Sequence, residues 1–192
     1  MKPLLIAALS SLVLVIPVAG HAATDLILNG SFEYEMGAWS CTPGNACTLD
    51  DTIAPHSGVL GMLLHDGTGT AVLSQSFETV VGAVYDLSFW VKWTEPTAAG
   101  QQAWWSAGDV AMGQIAGVSG DFAQIVARFV ATSDTTTLSF NAHTPGAGSL
   151  ALDDISVTEG TAAPSPVPVP APALMLGLGL GGLAALRRRI RS

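Results

Sequence analysis

Apolar and polar residues alternate with a period of two over residues 84–93, where Tyr85, Leu87, Phe89, Val91 and Trp93 share one parity and Asp86, Ser88, Trp90 and Lys92 the other. Successive side chains of a strand point to opposite faces, so this stretch predicts a strand with one face on a core. Residues 71–77 continue the theme, with Val72, Leu73 and Phe77 among Ser74, Gln75 and Ser76. Further strands are expected over 25–28, 38–41, 59–64, 104–112, 122–131, 135–141 and 150–157, each bounded by Gly, Pro, Asp, Asn or Ser. No stretch carries the 3.6-residue period of an amphipathic helix, and glycine breaks 109–120 too often for one. About nine or ten short strands at this spacing predict an all-β, antiparallel two-sheet sandwich.

The two ends follow other rules. Lys2, the apolar run 4–18 and the small residues around Ala22 and Ala23 have the form of an export signal, so residues 1–23 are expected to be removed. Residues 24–160 then make one domain with its own core. Residues 161–172 alternate proline with small residues, a semi-rigid spacer of roughly 35 Å at about 3.1 Å per residue. Residues 173–192 hold an uncharged run, 173–186, followed by Arg187, Arg188, Arg189 and Arg191. That run predicts a short C-terminal membrane helix with its arginines on the cytoplasmic side. At about 1.5 Å per residue it spans roughly 21 Å, short against a hydrocarbon core of about 30 Å.

Charge sharpens the domain. Its only basic residues are Lys92 and Arg128 against all 15 acidic residues of the chain, a formal charge of −13. Such a surface repels nucleic acid and anionic lipid, and suits divalent cations or neutral partners such as glycans. Cys41 and Cys47, the only cysteines, flank Thr-Pro-Gly-Asn-Ala. In an oxidising compartment that spacing predicts a small disulfide loop around a Pro-Gly turn. The scattered histidines offer no zinc spacing with them.

Val167, Pro168, Val169, Pro170 and Ala171, the apolar Gly/Leu run and Arg187, Arg188 and Arg189 together resemble the PEP-CTERM class of bacterial sorting tails. Val169 stands where the common Val-Pro-Glu-Pro form has its acid, which is closer to the Val-Pro-Leu-Pro-Ala variant. The resemblance implies export in a Gram-negative bacterium and inner-membrane anchoring through the tail. An exosortase-type enzyme would then process it for delivery to the envelope, surface or extracellular matrix.

Within the domain, Asn29-Gly30-Ser31-Phe32-Glu33 near the start and Leu152-Asp153-Asp154-Ile155 in the final strand resemble carbohydrate-binding modules of the galactose-binding-like jelly roll. Gln75-Ser76-Phe77, Gly82 and the Tyr85-x-Leu-x-Phe89 strand fall where that pattern has a Gln-x-Phe, a Gly and a Tyr-x-Leu-x-Phe. The resemblance implies a jelly-roll sandwich and a structural calcium ion joining the two termini of the domain. Calcium takes hard oxygen ligands, and Glu33 and Asp153, with Asp154 in reserve, are the candidates. Asp153 shares its parity with Ile155 and Val157 and is expected to point inward with them. The alternative role for these carboxylates is hydrogen bonding to backbone amides.

The candidate ligand residues are Trp90, on the polar parity of its strand, and Trp104 and Trp105, of which one should be exposed because neighbours in a strand face opposite ways. Flat rings stack on the apolar faces of sugars. Trp39 and Trp93 are assigned to the core. No nucleophile elbow, zinc motif or phosphate loop is present, and the acidic pairs carry no hydrolase pattern beyond their abundance. The reading is an exported, non-catalytic protein that binds polysaccharide, against a structural matrix protein without sugar binding or a small glycan-active hydrolase. Two or more exposed Trp on one face favour the first, and a closed Ser/Thr-rich face the second.

Overall fold

Ten strands follow in chain order: β1 Ser40–Thr42, β2 Cys47–Asp50, β3 Gly61–Leu64, β4 Ala71–Glu78, β5 Val84–Trp93, β6 Gln102–Ala107, β7 Ala111–Gln114, β8 Ala123–Val130, β9 Thr135–His143 and β10 Leu150–Glu159. The computed structural model describes residues 23–65, 69–95, 100–109, 111–115, 120–146 and 148–161. Residues 1–22 of the expected export signal 1–23, the expected linker beyond Thr161 and the expected sorting tail lie outside them. The chain divides into the units Met1–Glu159 and Gly160–Ser192, and the fold is that of the first. Among the described residues there is no helix, and none long and apolar enough to cross a membrane.

The strands form two five-stranded sheets, a first of order β1-β4-β9-β6-β7 and a second of order β2-β3-β10-β5-β8, antiparallel at every pairing. The period-two pattern sets which parity turns inward. Leu87, Phe89 and Val91 of β5 and Leu152 of β10 face Leu73 of β4, Trp105 of β6 and Phe140 of β9, all buried. Phe89 meets Phe140 edge-on at 4.9 Å between centroids and Trp105 at 6.5 Å. Each such side chain contributes about 1.5–3 kcal/mol by burial.

Strand β5 has the limits its alternation predicts. The stretch 104–112 becomes a hairpin, β6 and β7, because Gly108 adopts a left-handed φ of 59° and reverses the chain. Residues 25–28 make only an isolated bridge, Asp25 to Thr158, and a Leu26 N–H bond to the Val157 carbonyl. Gln75, on the inner parity of β4, takes over the other side: its Oε1 accepts from the Leu28 N–H at 2.8 Å and its Nε2 donates to the Leu28 carbonyl at 2.9 Å. A glutamine side chain here stands in for a neighbouring peptide group.

Strand β2 has no alternating signature, since Leu49 is its one large apolar residue. It is held by pairing with β3 and by the Cys41–Cys47 disulfide. Because β1 belongs to the first sheet and β2 to the second, that bond staples the sheets at one edge. Closing so short a loop contributes about 2 kcal/mol.

Asp153 does not point inward. Pairing of β10 with β5 runs Leu152 to Val91 and Asp153 to Trp90, then resumes at Ser156 to Ser88, so one extra residue intervenes. This bulge, with Asp154 at a left-handed φ of 48°, changes the parity. Leu152 and Ile155 are both core residues, and Asp153 lies on the outer side of the second sheet beside Trp90. The inward expectation fails because parity cannot be counted across a bulge.

Candidate functional site

Two groups of side chains combine chemistry with accessibility, one on the outer face of each sheet. On the second sheet, residues 51–60 cross over β10 and are held by three carboxylates. Asp153, fully buried, accepts from the N–H groups of His56 (2.7 Å) and Ser57 (3.0 Å) on Oδ2 and of Asp154 (2.7 Å) on Oδ1. Asp154 accepts from the His56 ring Nδ1 and the Ser57 hydroxyl, both at 2.7 Å. Glu33 Oε1 accepts from the N–H groups of Val59 (2.8 Å) and Leu60 (2.9 Å). Gly58, at a φ of 64°, sits beneath the Glu33 carboxylate, where a Cβ would come within 2.3 Å of Oε1. Asp50 caps the start of this crossing through the amides of Thr52, Ile53 and Ala54.

The electrostatics follow from the donors. The Leu60 and Val59 amides hold the Glu33 carboxyl below the usual range. Burial pushes the Asp153 carboxyl above it, against the pull of the Ser57, His56 and Asp154 amides. For Asp50 burial acts upward, and the amides of Ala54, Ile53 and Thr52 with the Thr52 hydroxyl outweigh it. Among the described residues no three His, Cys, Asp or Glu side chains converge closely enough to hold a metal ion. The carboxylate oxygens face amide, imidazole and hydroxyl donors instead, so in this arrangement the donor set does not fit calcium.

Trp90 stands over the same region, but His56 stacks on it at 3.8 Å between centroids and 12° between planes. Phe122 meets His56 edge-on at 5.3 Å, and the Lys92 ammonium lies 4.4 Å from the Phe122 ring centre. The Trp90 face that a sugar would use is therefore taken by a histidine of the crossing segment.

The first sheet presents a different surface. On β6, Ala103, Trp105 and Ala107 turn inward, which sends Gln102, Trp104 and Ser106 outward. Registers across the sheet align Gln114, Trp104, Asn141 and Val72 in one row. Ser106, Ser139, Ser74 and Ser40 form the next, and Gln102 lies beside His143 on the other side. The His143 ring Nδ1 is anchored on the Gly69 carbonyl, and Ser76 pairs with Thr137 at 2.8 Å. Gln102, Ala103, Trp104, Gly113 and Gln114 line a cavity of about 380 Å³. The floor is thus one indole, several amides and a band of short hydroxyl side chains. In the described rows it carries no lysine or arginine, and its acidic residues, Glu78 at the end of β4 and Asp109 in the β6–β7 turn, stand at one end.

Of the predicted ligand residues, only Trp104 occupies this open face. Trp105 is a core residue, 7% exposed and packed on Phe89, because strand alternation gives the outer face to its neighbour. Trp90 lies on the other sheet. The face combines a half-buried, outward-turned Trp with a Ser/Thr-rich floor, features expected of competing readings. Gln102, Gln114, Asn141 and His143 had no signal of their own in the sequence; counting the outward parity of β6 and β9 from their buried positions, and of β7 from the buried Ile115 beside it, would have found them.

A model of the carbohydrate binding domain CBM_4_9 matches residues 24–149. No curated protein matches the chain. Among solved structures, TmCBM61 in complex with β-1,4-galactotriose is similar at 14% identity and a TM-score of 0.59, over 72% of this chain and 100% of that one. The Family 16 Carbohydrate Binding Module-2 follows at 20% identity and 0.56, over 70% and 99%. The CBM22-1 xylan-binding domain of Xyn10C from Paenibacillus barcinonensis stands at 18% and 0.52, over 76% and 100%. At these identities the likeness is one of fold, a two-sheet jelly roll.

Proposed function

Because this chain belongs to the CBM_4_9 carbohydrate binding domain family, we propose that it binds polysaccharide across the outer face of the first sheet, with Trp104 as the stacking platform. The observation that carries this reading is the row Gln114–Trp104–Asn141 beside the 380 Å³ cavity. An indole face covers the C–H side of a pyranose ring while the flanking amides exchange hydrogen bonds with its hydroxyls. The short Ser and Thr side chains beyond leave room for a chain to continue across the sheet.

The role proposed is binding without turnover. Asp50, Asp153 and Asp154 are engaged by amides and side chains of residues 52–57. The described rows beside the cavity hold no pair of carboxyl groups of the kind glycoside hydrolysis uses. A glycan array probed with residues 24–160 tests the reading. Trp104→Ala is expected to weaken capture about 10- to 100-fold, taking about 1–3 kcal/mol for lost aromatic stacking, with the melting temperature unchanged. Retained binding in that variant would move the site elsewhere.

For the ends of the chain we propose export, membrane anchoring through 173–192 and processing near Val167–Ala171 by an exosortase-type enzyme. The proline-spaced apolar run closed by arginines supports it. The full chain is then expected in the inner-membrane fraction of a Gram-negative host, and a chain ending at residue 160 in the soluble exported fraction. Identical fractionation of the two would remove the tail from the argument.

A further inference from the structure

We infer that the binding face discriminates against anionic polysaccharides, those bearing uronic acid, sulfate or acidic acetal groups, and accepts their neutral counterparts. This rests on the polysaccharide-binding reading and adds the charge class of the ligand. The domain carries 15 acidic residues and two basic ones. Both basic residues lie on the second sheet and face away from the binding face. Arg128 is paired with Asp86 across β8 and β5 through two hydrogen bonds, of 2.6 and 3.1 Å. Lys92 lies over the Phe122 ring. Among the described residues, the rows around Trp104 hold no lysine or arginine, and their one imidazole, His143, is engaged through Nδ1 by the Gly69 carbonyl.

The acids are not neutral bystanders. Glu78 at the end of β4, Asp109 at the β6–β7 turn and Asp134 before β9 are all exposed. They gather at one end of the first sheet: Glu78 pairs with Thr135, the Thr79 N–H bonds the Asp134 carbonyl, and the Gly108 N–H bonds the Thr137 carbonyl. A polymer lying along this face brings a repeat of charges within reach of that end. The field of the whole domain repels it, with no lysine or arginine among the described residues of the face to repay desolvation. Hydroxyl and amide donors bind a neutral sugar without this penalty. At ionic strength near 0.01 M, where the screening length is about 30 Å, the repulsion acts across the domain; at 1 M, with about 3 Å, it is confined to contact distance.

The test is an array of matched pairs: galactan with polygalacturonan, xylan with glucuronoxylan, and hydroxyethyl with carboxymethyl β-glucan. Residues 24–160 are applied at low and high sodium chloride. Neutral members are expected to bind about tenfold or more tightly than their charged partners at low salt, the order of effect for a field of several kT, with the gap narrowing at high salt. Ser106→Lys, which sets an ammonium in the row next to Trp104, is expected to narrow the gap at low salt as well. Equal binding of both members at low salt, or a preference for the charged one, overturns the inference and leaves the polysaccharide reading intact. Capture of no glycan on the array overturns that reading, and this inference with it.

Discussion

Asp153→Ala is expected to lower the free energy of unfolding by about 3–5 kcal/mol, the range for breaking a buried charged hydrogen-bond network, measured as the shift of the denaturant midpoint. The side chain is fully buried and accepts from three backbone N–H groups, two of them on residues 56 and 57. Truncation leaves those donors facing a void, and each buried donor without an acceptor costs about 1–3 kcal/mol. A domain of this size has about 5–15 kcal/mol in total, so the variant stands near the edge of folding. Asp153→Asn keeps the volume and one carbonyl oxygen but turns an NH2 toward a donor, and is expected to fall between the two. A loss below about 1 kcal/mol in Asp153→Ala would mean the crossing segment is held by other contacts. Melting in EDTA separates this clamp from a calcium ion held by Glu33, Asp153 and Asp154. The clamp alone predicts an unchanged melting temperature, and a fall would assign a metal to these carboxylates.

Gly30→Ala is expected to cost about 3 kcal/mol or more, beyond the usual penalty for overpacking, because its Cβ has nowhere to go. It would lie 1.9 Å from the Ile155 carbonyl oxygen and 2.9 Å from the carbonyl carbon, both backbone atoms. The two segments cannot separate without losing the Ile155 N–H bond to the Gly30 carbonyl at 3.0 Å. They meet at the β10 bulge, where Ile155 and, on the other segment, Phe32 enter the core. Gly44→Ala is the control: nothing lies within 4 Å of its Cβ, so its effect is expected to stay within about 0.5 kcal/mol. Equal midpoints for the two variants would show that close backbone approach at Gly30 is not what this residue supplies.

These two positions explain why Asn29-Gly30-Ser31-Phe32-Glu33 and Leu152-Asp153-Asp154-Ile155 mark the fold. Asn29, at a φ of 54°, organises the turn after it: its Nδ2 donates to the Glu35 and Gly37 carbonyls and its Oδ1 accepts from the Tyr34 N–H. Its carbonyl also accepts from the Trp39 indole at 3.0 Å. Gly30 allows contact with the bulge, Phe32 fills the core, and Glu33 reaches residues 59 and 60. Each residue type is demanded by a distinct contact, and none of these contacts lies on the face proposed to bind sugar. The motifs report architecture and are silent about ligand.

Strand positions in β4, β5, β8, β9 and β10 and the assignment of Trp39 and Trp93 to the core were legible because an apolar alternation is a local property that burial merely selects. The disulfide was legible from cysteine spacing, given the oxidising compartment that the expected export implies. The site was less so. Trp90, Trp104 and Trp105 have similar local signatures, yet one stacks under His56, one is half-buried on the open face and one is core. What separates them is which sheet each strand joined and what crosses above it, and both depend on residues far away along the chain.

By itself, then, the sequence determined the all-β alternation, the loop disulfide and the charge of the domain, because each rests on residue type and near neighbours. Tertiary structure alone decided that a bulge would turn Asp153 outward onto the amides of residues 56 and 57. It also decided that Trp104 would stand in a row with Gln114 and Asn141 on a surface whose described residues include no lysine or arginine. The physical reason is register: a one-residue shift moves every side chain after it to the opposite face, and register is set by partners that the local sequence does not contain.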